Sequence, residues 1–61
     1  MVKVGDKIKI ISLYEEPQNS YYNGKEGIVE RFETDPWGER RMSGAWGSIF
    51  IYVDKDIFEI I

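Results

Sequence analysis

The stretch Lys7–Ile8–Lys9–Ile10 constrains this chain more than any other, because charge and branched aliphatics alternate with a period of two. Side chains two residues apart share one face of an extended strand, so the lysines meet water and the isoleucines meet a core. Ile11 breaks the alternation and predicts a bulge, or a strand end covered on both faces. Nowhere does a segment of about ten residues repeat its apolar positions at the helical period, so no α-helix is expected. Further strands are read at Gly27–Glu33, Arg40–Trp46, Ser48–Val53 and Ile57–Ile61. In the second, Val29 and Phe32 are both core candidates, which a regular strand cannot put on one face. A bulge near Glu30–Arg31 reconciles them. Asp35–Pro36 and Gly38 form the tip of a hairpin. Asp54–Lys55–Asp56 reads as one 3₁₀ turn. Tyr14 to Gly27 holds Pro17, Asn19, Ser20 and Asn23–Gly24, and so reads as a long loop. The expected fold is all-β: a small, five-stranded, strongly bent barrel with a long first loop and a short 3₁₀ turn before the last strand.

With 61 residues, the chain makes one domain, 1–61. A domain this short buries only roughly 60% of its unfolded surface. It has no cysteine and no histidine, so neither a disulfide nor a zinc site supplements the core. No apolar run reaches the roughly 18 residues that span a bilayer. The amino terminus lacks a continuous apolar signal core, so a cytoplasmic, membrane-free location is expected. Net charge is −3, from eleven acids and eight bases. That balance argues against a nucleic-acid binder working through phosphate neutralisation.

Four stretches, "VGDKIKII", "GKEGIVERF", "GAWG" and "DKDIFEII", occur in an order that resembles an uncharacterised family of small bacterial and phage-borne domains. That family looks like an SH3-like barrel related to the KOW domains of ribosomal and transcription proteins. The resemblance spans nearly the whole chain and implies a fold but no function. The chain departs from the family in two places. Its hairpin "DPWGERRMSG" is longer than the usual tip, and the usual proline near the end of the fourth strand is replaced around Val53.

Catalysis needs a positioned base, nucleophile or metal. The serines have no histidine partner, and Glu15–Glu16 and Asp54/Asp56 read as solvated carboxylates. Two carboxylates alone are poor calcium ligands. A non-enzymatic protein is therefore expected, with no cofactor and no metal.

Binding is better supported. The expected core is Val4, Ile8, Ile10, Leu13, Val29, Phe32, Met42, Trp46, Ile49, Ile51, Phe58 and Ile60. Many bulky apolar side chains are left over, and contiguous exposed apolar surface marks interfaces. If Ile49 and Ile51 point inward, Phe50 and Tyr52 point outward together, as a partner face or a homo-oligomer seam. Three kinds of partner follow. A protein partner, even a host protein blocked by a phage-borne domain, would use Tyr14, Glu15, Glu16, Tyr21 and Tyr22 with the tip residues Trp37, Arg40 and Arg41. A nucleotide between protomers would stack on Trp37 and Tyr21 or Tyr22, with Arg40 or Arg41 on phosphate. Single-stranded nucleic acid ranks last, given the acidic balance.

Overall fold

The computed structural model describes residues 1–15 and 21–61. Five strands follow in chain order: β1 (Lys7–Ser12), β2 (Glu26–Thr34), β3 (Arg40–Gly44), β4 (Ile51–Tyr52) and β5 (Ile57–Ile60). All pairings are antiparallel, and the strands form one sheet in the order β4-β3-β2-β1-β5. No helix occurs among the described residues, and hence none long and apolar enough to cross a membrane. The all-β expectation therefore holds, with a one-turn link before the last strand; of the expected first loop, 14–15 and 21–25 lie outside the strands, and 16–20 lie outside the described residues. The sheet is barrel-like but open, because β4 and β5 are its two edges.

The bend lies where the sequence placed it. The first residues of β2 pair with β1, and from Val29 onward β2 pairs with β3. The register slips between Val29 and Arg31, so Glu30 is bulged and Phe32 returns to the inner face opposite Met42. A second slip, between Ile10 and Ser12, makes Ile11 the bulged residue of β1 against β5. The bulge in β2 lies where that strand leaves β1 for β3, whereas the bulge in β1 lies within its ladder with β5.

Ile8, Ile10, Val29, Met42, Trp46 and Ile51 form the core, and Val2 joins them from the amino terminus. Each fully buried aliphatic contributes roughly 1.5–3 kcal/mol. Leu13, Tyr22, Phe32, Ile49, Val53 and Phe58 pack around this centre, half-buried. Two expected core residues are exposed. Val4 precedes the turn at Gly5 and stays outside. Ile60 faces Ile8 across the β1–β5 ladder, but it lies on the edge strand that β4 does not reach.

The third and fourth strands are shorter than expected, for one local reason. After Gly44 the chain turns so that Trp46 enters the core and its indole N–H donates to the Ile49 carbonyl, 3.1 Å away. Gly47, at φ 135°, permits that corner, and the ring of Tyr22 packs over it. Residues 45–50 are thereby drawn off the ladder. The link 53–56 is a single turn, but not a pure 3₁₀ one. The Tyr52 carbonyl accepts from both the Lys55 and the Asp56 amides.

Candidate functional site: an aromatic groove with acidic walls

The hairpin tip is built around one carboxylate. Asp35 is buried, and its Oδ1 accepts from the amides of Trp37 (2.9 Å) and Glu39 (2.8 Å). Main-chain bonds between Asp35 and Glu39 and from Gly38 to Asp35 close the turn, with Gly38 at φ 86°. Burial pushes the Asp35 carboxyl up. The Glu39 and Trp37 amides, the Tyr52 hydroxyl and Arg41 outweigh it and hold the group below its ordinary range. The tip is thus a fixed turn presenting an indole that is 85% exposed.

A second carboxylate joins two segments far apart in sequence. Asp56 Oδ1 accepts from the Tyr14 amide and Oδ2 from the Tyr52 amide, each at 2.7 Å. The start of the first loop is thereby tied to β4. By residue type and position alone, Asp56 reads as a solvated surface acid. Its half-buried position and its two backbone partners make it a bracket instead.

Between these two brackets runs a groove of about 400 Å³. Half-buried Leu13, Tyr22, Ile49 and Tyr52 line it with the more exposed Tyr14, Trp37 and Phe50. Glu15, Asp35, Glu39 and Asp56 also line it, with Lys55 as their basic counterpart. A volume in this range suits a ligand segment, and mixed aromatic and charged walls suit one with both apolar and polar groups.

The structure brings Tyr14, Glu15, Tyr22, Trp37, Phe50 and Tyr52 of the expected binding residues to this groove. Phe50 and Tyr52 meet there as groove lining. The remaining candidates lie elsewhere. Arg41 is clamped by Glu33, at 2.9 Å from Nε and 2.7 Å from the terminal nitrogen, and it lies 3.8 Å over the ring of Phe50. The Glu33 carboxyl is held below its ordinary value by hydrogen bonds from Arg41 and then Arg31. Arg40, one residue away on the strand, faces the other side and covers Phe32 at 4.7 Å. Tyr21 stands edge-on to Tyr22 at 5.3 Å and carries Lys25 over its face. Glu16 lies outside the described residues.

Asp35, Asp56, Glu39 and Lys55 are not among the binding residues expected from sequence. An Asp two residues before Trp37 in a Pro-Gly turn was a legible Asx signal. Nothing local pointed to the bond between Asp56 and Tyr14, which spans 42 residues. Among the described residues no three His, Cys, Asp or Glu side chains come together to hold a metal ion. Set against protein-family profiles, curated proteins and solved structures, the chain matches none.

Proposed function

We propose that this chain is a non-enzymatic protein-binding module, met by its partner in the cytoplasm, whose groove takes an extended partner segment bearing proline or other apolar residues and at least one basic side chain. What supports the reading is the groove itself. Tyr14, Tyr22, Trp37, Phe50 and Tyr52 line it, together with four carboxylates and a single lysine among the described residues. Aromatic-lined grooves dock extended, polyproline-like chains because such chains lose little entropy on binding. The net negative charge of that lining draws a cationic partner and repels an anionic one. A copy carried by a phage or mobile element would act by occupancy, masking a basic segment of a host protein.

The same geometry weighs against a nucleotide at Trp37. Arg41 is held by Glu33, and Arg40 lies over Phe32 on the other side of the strand, so neither guanidinium is presented to the phosphate of a base stacked on the indole. The test is a titration of isotope-labelled protein with proline-containing dodecapeptides, basic and acidic in otherwise matched sequences, followed by amide and indole shifts. The basic peptides should move the Trp37 indole and the Tyr14 and Tyr52 amides, and Trp37→Ala should abolish the response. Shifts confined to Tyr21 and Arg40, or a preference for acidic peptides or nucleotides, would reject the reading.

A further inference from the structure

Lys55 occupies an unusual place in the groove. Its Nζ lies 2.7 Å from Glu39 Oε2, 5.4 Å from the centre of the Tyr14 ring and 6.0 Å from that of Tyr52. Two aromatic faces and a carboxylate are the groups that recognise an ammonium or guanidinium ion. The chain fills this arrangement with a cation of its own.

We propose that Tyr14, Tyr52 and Glu39 form the cation subsite of the groove, that an arginine or lysine of the bound segment enters it, and that Lys55 is a resident competitor displaced on binding. The inference rests on the protein-binding reading and deepens it by naming the anchor of the ligand.

The backbone that carries the two rings is fixed while the occupant is not. The backbones of Tyr14 and Tyr52 are both held by Asp56. The side chains of Lys55 and Glu39 are each 41% exposed, and an exposed ion pair is a weak tether. The hydrogen bond to Glu39 holds the Lys55 ammonium above its ordinary pKa, so it stays charged while in place. Its four-carbon stem can swing the charge into water at little cost. Arg41 on Phe50 is the opposite case. There the guanidinium is only 21% exposed and bonds to Glu33 through two of its nitrogens. An incoming arginine has a further advantage over Lys55, because its planar fork stacks on a ring and binds a carboxylate through two nitrogens.

The decisive variant is Lys55→Met, which keeps the stem and removes the charge. Lys25→Met is the control. It deletes an equal charge from over Tyr21, outside the groove. Both are titrated with a proline-rich peptide carrying a central arginine, and with the same peptide carrying citrulline. Lys55→Met should bind the arginine peptide about two- to fivefold more tightly than wild type. Lys25→Met should match wild type, and the citrulline peptide should gain nothing. Unchanged or weaker binding by Lys55→Met, with wild type still binding in the groove, overturns the displacement and leaves the protein-binding reading intact. If no peptide binds any variant, that reading fails, and ethylguanidinium decides the subsite alone. Ring shifts of Tyr14 and Tyr52 in Lys55→Met but not in wild type support it, and their absence in both overturns it. Lys55→Gln serves if the methionine variant loses its fold.

Discussion

The two tryptophans lie nine positions apart and have opposite fates. Trp46 is 4% exposed, and its N–H is bonded to the Ile49 carbonyl. Trp37 is 85% exposed, and what fixes it is the backbone beneath it, through Asp35. Both sit beside glycines, but the glycines do different work. Gly44 lets the Trp46 ring lie against the strand, whereas Gly38 only turns the chain. One indole therefore closes the core, and the other lies on the surface beside the groove.

The largest effect is expected at the corner that holds Trp46. A methyl group on Gly44 would collide with the Ile28 carbonyl oxygen and the Trp46 ring. Gly44→Ala and Trp46→Ala should each cost about 3–5 kcal/mol in urea unfolding, enough to unfold much of so small a domain. A stable Trp46→Ala protein would show that the corner is not the keystone of the core.

Next comes the carboxylate under the exposed indole. The folded-state pKa of Asp35 is depressed, so its contribution is present above its ordinary value of 3.8 and is lost as pH falls through the lower, folded value. Glu33 has the same sign, from an ordinary value of 4.5. Wild type should lose melting temperature steeply below about pH 4. Asp35→Asn should melt lower at neutral pH and show a shallower acid limb, with the two curves converging at the acid end. Parallel curves would mean that the Asp35 charge contributes nothing to the tip.

A smaller effect is expected at Gly38, whose φ of 86° is unfavourable for any side chain although a methyl group there meets open space. Gly38→Ala should cost about 1 kcal/mol, confined to the hairpin by hydrogen exchange. Smallest of all is Trp37→Ala, which should leave stability within about 0.5 kcal/mol of wild type. If binding nonetheless falls by about tenfold or more, the contrast between the two indoles is complete. A large fall in melting temperature would instead make Trp37 a structural residue.

Much of the fold was legible in the sequence because its signals are local. Both bulges could be placed from single breaks in apolar alternation, at Ile11 and between Val29 and Phe32. The turn at Asp35–Gly38 could be placed from residue type alone. The exposure of Ile60 could not, since it depends on whether the sheet closes between strands distant in the chain. The groove was only half legible. Its aromatics stood out by size, but the roles of Asp56 and Lys55 arise from pairings across the fold, and isolated charges give no sign of them.

By itself, the order of residues determined that this chain is all strand, where it bends, and that it holds more bulky side chains than its interior accepts. Those are consequences of period, turn chemistry and volume, which act over a few neighbouring positions. Only the tertiary structure decided which leftover aromatics share a groove and which arginine is locked away, because hydrogen bonds and ring contacts are set by distance in space. It also put a lysine on two tyrosine rings, a juxtaposition that links the first loop, the hairpin tip and the final turn.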